Sequence, residues 1–309
     1  MTAYQPAACQ PGILKEDGGA GLFLVLNAVS KNGVSRKTAG LPAITDAISA
    51  MDAAAGLTCV VAYGAAMWDA IGNGTRPKGL RPFKTVSGPK LSAPATGGDI
   101  LLHINSARHD LNFELARALL AHFGDTVIVM ESVRCFVYMD SRDMTGFIDG
   151  TANPKEDGER REAALIGAED PAFAGGSYVL TQRYVHNLAA WEKLSVHEQE
   201  MRIGRRKKDS EELPEGIKPP TAHISRVEIK KDGQELKIVR HSMPYGRPGG
   251  DAGLFFIAYA RDPGIFESML AAMFGAAGDG RHDHLMDFTS PVSGAFFFAP
   301  PLKMLAAIR

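Results

Sequence analysis

Two stretches decide the fold: DILLHINSARHDLNFELARALLAHFG, residues 99–124, and AGLFFIAYARDPGIFESMLAAMFG, residues 252–275. Each opens on an apolar run of strand length and passes through Ala-Arg (Arg108, Arg261) into a polar turn. Each then continues as a helix and stops at Phe-Gly (Gly124, Gly275). One strand–helix unit recurring at roughly half the chain length implies an internal repeat. The fold class expected is α+β: two ferredoxin-like halves with mainly antiparallel sheets and peripheral helices.

The rest of the chain fits that frame. GLFLVLNAV (21–29), LTCVVAYG (57–64) and TVIVMESVRCFVYM (126–139) read as strands. ITDAISAMDAAA (44–55) reads as a helix, because Ile44, Ile48 and Met51 recur on one face. The richest turn region in the middle is GFIDGTANPKEDGERRE, so the expected division is 1–150 and 151–309, with the loop 146–154 at the seam. The segment 201–223 carries both charge signs and three prolines and reads as a solvated loop.

Composition narrows the function classes. Of 309 residues, 45% are hydrophobic and 22% charged, the balance of a globular protein. With 34 basic against 35 acidic residues, the chain lacks the basic excess that phosphate contacts need, so no nucleic-acid partner is expected. Cys9, Cys59 and Cys135 are scattered and form no CxxC, which excludes a zinc ribbon and covalently attached haem. Neither a secretory leader nor an 18-residue apolar run is present, so the expectation is a cytoplasmic protein without a membrane partner.

GFIDGTANP (146–154) holds the most suggestive chemistry. Asp-Gly and Asn-Pro are turn dipeptides, and a well-formed loop accounts for them. The same residues also suit a binding wall. Gly146 and Gly150 permit close backbone approach, Phe147 and Ile148 supply apolar surface, and Asp149 is a lone carboxylate among them.

At this point the sequence resembles a known family, the dye-decolorizing peroxidases of the compact bacterial type. GFIDGTANP is similar to the family's GxxDG motif. IGRRKKDSEEL (203–213), AHISR (222–226), IVRHSMPYG (238–246) and DFTSPVSGAFFFAPP (287–301) look like its further blocks, in order. The first 90 residues match only in general pattern. The resemblance implies a haem b peroxidase, with the pocket in the C-terminal half. It would reduce hydrogen peroxide and oxidise a small dye-like or phenolic reductant in one-electron steps through a ferryl intermediate. A haem-handling protein of the same fold is the alternative.

The resemblance assigns His223 as the axial ligand of the haem iron, a usual role for neutral imidazole. It puts Asp149 and Arg240 on the opposite side, to move a proton and to stabilise charge. Ser242 stands where family members often carry asparagine, with a shorter reach toward a distal water. Arg205, Gly150 and Thr151 are the expected haem-binding neighbours. An acidic residue late in the chain should back His223. Asp287, adjoining the FTSPVSG block, is preferred over Asp283. His241 competes with His223, but strand alternation turns it away from Arg240 and Ser242. Trp191, Tyr184 and Tyr178 are candidate electron relays for a surface reductant. The resemblance also implies a homo-oligomer, and the ending PPLKMLAAIR gives no support for loading into an encapsulin shell.

Overall fold

The computed structural model describes residues 8–16, 18–231 and 233–309. Among them, ten strands form one sheet in which every pairing is antiparallel. Four belong to the first half: β1 (Ala20–Ala28), β2 (Thr58–Tyr63), β3 (Ile100–Ser106) and β4 (Val127–Phe136). Six belong to the second: β5 (Ser177–His186), β6 (Val239–Arg240), β7 (Met243–Gly246), β8 (Ala252–Ala260), β9 (Thr289–Pro291) and β10 (Ala295–Ala299). The order is β6-β8-β5-β10-β2-β3-β1-β4, with β7 also on β8 and β9 also on β5. With β6 and β7 taken as one interrupted strand and the short β9 set aside, both halves follow the same order: second, third, first, fourth strand. The two strand–helix units anticipated from the sequence occupy equivalent places in it. The halves meet where β10 pairs with β2 through a single register pair, Phe298 and Tyr63.

The helices follow from their local sequence. Of those that matter here, α1 is Leu41–Ser49, α2 His109–Phe123, α3 Val196–Ile203, α4 His223–Val227 and α5 Pro263–Met273. In α5, the Asp262 side chain accepts from the Gly264 amide at 2.8 Å and Pro263 takes the first turn, a preorganised start. The Phe-Gly stops act through the backbone: Gly124 and Gly275 take φ of +56° and +78°. The helix expected over 44–55 is instead α1 followed by a separate 3-10 turn at Ala53–Ala55. Pro42 opens the first piece two residues earlier than Ile44, and a bend divides the alanine-rich run.

Strand alternation divides the side chains between two cores. Leu24, Val61, Leu102, Leu180 and Phe298 face α2 and α5, which contribute Leu115, Leu119, Phe266 and Leu270. Val25, Val60, Leu101, Val179, Phe255 and Phe297 fill the opposite face. Between the sheet of the second half and its helices a cleft remains open. No helix among the described residues is long and apolar enough to cross a membrane.

Candidate active site

The cleft holds about 1420 Å³ of empty space, its open mouth included. Its floor is one face of two neighbouring strands: Leu180, Gln182, Tyr184 and His186 of β5, and Leu254 and Phe256 of β8. Their even numbering is the two-residue period of a strand, which aims alternate side chains at the cleft. Phe266, Met269, Leu270 and Met273 of α5 line it as well. It is therefore largely dry, the kind of slot that takes a flat apolar ligand.

His223 is the first residue of α4 and lines the cleft. Its Nδ1 lies 2.6 Å from Oδ2 of Asp283, a carboxylate with 0% exposure. The same carboxylate accepts from the Leu285 amide through Oδ1 at 2.8 Å, so both oxygens are held. Nδ1 therefore carries the proton, and Nε2 has no hydrogen-bond partner among the described residues. This corrects the preference for Asp287. That side chain is 47% exposed and accepts from His282 at 2.9 Å instead. Asp283 caps the short 3-10 turn His284–Asp287 and is thereby turned inward, whereas Asp287 ends that turn and faces out.

Asp149 and Arg240 both line the cleft, with Nη1 3.5 Å from Oδ1. Oδ1 also accepts from the Gly150 amide at 2.7 Å, while no hydrogen bond from the described residues reaches Oδ2. Gly150 has φ +78°, the left-handed conformation that glycine takes at no steric cost, so the chain turns directly after the carboxylate. Asn153 fixes the other partner. Its side chain accepts from the Arg240 amide at 3.0 Å and donates to the Arg240 carbonyl at 2.7 Å. The loop and β6 are thus tied by a backbone-mimicking pair of bonds, and the turn sequence GFIDGTANP supplies both Asp149 and the Asn153 that anchors its partner's strand.

The remaining expected residues divide. Thr151 lines the cleft, and Gly150 lies on the outer side of the same loop. Arg205 lines it with its guanidinium held by the Ser210 carbonyl at 2.9 Å and by Glu212 at 3.6 Å. Ser242 is not brought to the cleft. It falls between β6 and β7, half-buried, with its hydroxyl accepting from the Ile257 amide at 3.4 Å. His241 is buried in the opposite core and donates through Nε2 to the Ile13 carbonyl at 2.9 Å, as alternation required. Trp191, Tyr184 and Tyr178 are 2%, 5% and 4% exposed, so none is the surface aromatic that an electron relay to a large reductant needs.

Sequence reasoning missed Asp143, Thr145 and His186, all of which line the cleft. Asp143 and Thr145 form a side-chain turn, with Thr145 donating to Oδ2 through N at 3.0 Å and Oγ1 at 2.6 Å. An Asp two residues before a Thr is the composition of such a turn. His186 ends a strand whose alternate residues face the cleft, which placed it once the strand was recognised.

With this geometry established, comparison with known proteins is direct. Residues 10–137 match the family model for Dyp-type peroxidase, N-terminal, and residues 140–304 that for Dyp-type peroxidase, C-terminal. The chain is 41% identical to a dye-decolorizing peroxidase of Mycobacterium tuberculosis over 97% of its own length and 90% of the relative's. Its structure resembles a DypB variant of Rhodococcus jostii RHA1 in complex with heme, with TM-score 0.94 and 40% identity, covering 98% and 99% of the two chains. A dye-decolorizing protein from V. cholerae gives 0.91 and 42%, covering 96% and 98%.

Proposed function

The chain belongs to the Dyp-type peroxidase family and is a haem peroxidase, acting on hydrogen peroxide and an organic reductant; on that premise we propose how its own residues divide the work. Bound haem supplies the iron at which peroxide is reduced and the oxidising equivalents passed to the reductant. The donor set suits it: an imidazole nitrogen without a partner among the described residues, and an acid and a guanidinium, all lining one mainly apolar cleft. His223 Nε2 is the atom that would hold the iron. Asp283 keeps the proton on Nδ1, fixes the ring and makes the ligand more electron-rich.

On the other side, Asp149 acts as the proton carrier. Oδ1 is engaged by Gly150 and Arg240, so Oδ2 is the atom that would hold a proton and pass it between the oxygens of peroxide. The Arg240 guanidinium, with several donors in a planar fork, stabilises the negative charge that develops on peroxide oxygen. Thr151 and Arg205 line the cleft and would bind the haem periphery, the Arg205 guanidinium supplying positive charge for its propionates. Ser242 contributes by supporting β8 rather than by holding water. The reductant is a small dye-like or phenolic molecule.

The reading extends to the protein's setting. Three free cysteines suit the reducing cytoplasm. The edge strand β4 exposes Ile128, Val129 and Met130 at 52%, 46% and 56%, an apolar row suited to cover by a second copy, so the working form is a homo-oligomer. Residues 1–150 and 151–309 are its two halves, with the Asp149 loop at the seam.

One observation carries the assignment: the His223–Asp283 and Asp149–Arg240 pairs open onto the same cleft. Rapid mixing of the haem-replete protein with peroxide tests it. Asp149→Ala is expected to slow the peroxide-driven change of the Soret band by about 100-fold, the lower end of what a positioned acid–base group contributes. An unchanged rate would pass the proton role to another group. Incidental activity in a haem-handling protein would show the same slow rate in both forms.

A further inference from the structure

The cleft contains a second imidazole backed by a carboxylate, and the reaction as described makes no use of it. His186 ends β5 directly opposite Thr289 of β9 in the antiparallel register. Its Nδ1 lies 2.7 Å from the Thr289 hydroxyl and its Nε2 3.1 Å from Asp143 Oδ1. Both side chains of the pair are buried, with 6% and 14% exposure. Asp143 is engaged on every side. Its Oδ2 accepts twice from Thr145, its amide donates to the Phe147 carbonyl at 2.8 Å, and its carbonyl accepts from the Gly146 amide at 2.8 Å.

Those contacts fold residues 143–147 into a knot that ends two residues before Asp149. On the other flank of the knot, Met139, Asp140 and Ser141 take φ of +33°, +57° and +63°. Three consecutive non-glycine residues in that region store strain, which persists only where neighbouring contacts over-determine the backbone. The Asp149 amide is bonded back to the Ser141 carbonyl at 2.9 Å, so relaxation of the strained flank would carry Asp149 with it. Arg142 steadies the loop from outside, on the Gly146 and Lys207 carbonyls, and His186 holds it from within the cleft.

We propose that His186 and Asp143 form a positioning latch that anchors the Asp149 loop to the β5–β9 ladder and sets where its carboxylate stands. The inference rests on Asp149 being the proton carrier. His186 itself is a positioning residue. With Asp143 on one nitrogen and Thr289 on the other, it offers no free nitrogen to an iron.

The test uses the haem-replete protein and three variants. In His186→Leu both side-chain bonds are lost with the apolar volume kept. The peroxide-driven Soret change should slow about tenfold, a part of what a displacement of 1 Å costs an aligned reaction. The resting spectrum, set by His223, should be unchanged. Hydrogen–deuterium exchange should speed up at the amides of 143–149 and nowhere else. His186→Gln, which can donate to Asp143 and accept from Thr289, should recover most of the rate. A wild-type rate in His186→Leu while Asp149→Ala is slow would overturn the latch and leave the proton carrier standing. A wild-type rate in Asp149→Ala would overturn the parent assignment and the latch with it. If His186→Leu does not bind haem, Thr289→Val, which removes the bond at Nδ1 together with a long contact of 3.4 Å to the Val185 carbonyl, should be slowed two- to threefold. Full speed there would overturn the proposal.

Discussion

His223 with Asp283 and His186 with Asp143 are the same two side chains set in the same cleft, each with an imidazole nitrogen against a buried carboxylate. They differ in the second nitrogen. That of His223 has no hydrogen-bond partner among the described residues, and that of His186 is occupied by Thr289. The difference follows from the elements beneath. His223 starts a short helix, where no ladder neighbour stands beside its ring. His186 lies in a ladder, where the register places a hydroxyl directly across. A carboxylate-backed histidine is therefore not by itself a ligand. What the second nitrogen meets decides between holding a metal and holding a loop.

The largest effect should come from removing the free nitrogen. His223→Ala should lose the iron's protein ligand, and with it the Soret band of the native resting state and peroxidase turnover. If His186 replaced it, the comparison would be wrong at its root, and an intact spectrum in the variant would reveal it. Next, Asp283→Asn should weaken haem retention by about 10- to 100-fold, the usual cost of losing a partner behind a metal ligand. Asp287→Asn should leave it alone. Competition for haem by apomyoglobin separates the two.

The third effect concerns acid. Burial pushes the Asp143 carboxyl up, but hydrogen bonds and charge from His186, with the Thr145 bonds, outweigh it and leave the group below its ordinary value of 3.8. A depressed folded-state value stabilises the protein fully above 3.8, and that contribution is lost as pH falls through the lower folded value. Denaturant unfolding of wild type and Asp143→Asn should therefore differ above pH 3.8 and converge as pH falls through the lower folded value. A constant gap would remove the ionised carboxylate from the account. The smallest effect is expected at the outer support of the latch, where Trp191 Nε1 donates to the Thr145 carbonyl at 2.9 Å. Trp191→Phe should cost about 1 kcal/mol of stability, the worth of one buried hydrogen bond, with little change in the peroxide rate.

The fold was readable because it rests on local patterns. The apolar runs ending at Arg108 and Arg261 and the Phe-Gly stops mark the two units without any tertiary knowledge. Alternation likewise separated His241 from Arg240 before any coordinates. The site was readable where a motif resembled a family and opaque where two distant segments meet. Asp283 and Asp287 sit four apart in one polar stretch. Only the capping of the 3-10 turn, and the 60 residues of chain that return to His223, show which faces inward. Asp143 and His186 lie 43 apart, and neither belongs to a familiar motif. Their meeting is a product of sheet register. Ser242 failed for a third reason: it was placed by resemblance, and a neighbouring amide claims its short hydroxyl.

The seam between the halves has a consequence for folding. The ladder there is a single pair, supplemented by main-chain bonds from Thr96 and Gly97 to the Gly294 carbonyl and from Leu302 to that of Ala8. Side chains add to them. Trp68 from the first half meets Phe298 and Phe173 from the second edge-on, with centroids 4.8 and 6.1 Å apart. Either half made alone would expose that indole or those phenyl rings along with an unpaired strand edge, the combination that draws chains into aggregates. The duplication seen in the sequence is therefore not a division into independent parts. Denaturation should proceed as one cooperative transition, and the haem cleft, although most of its lining comes from the second half, depends on the first for its existence.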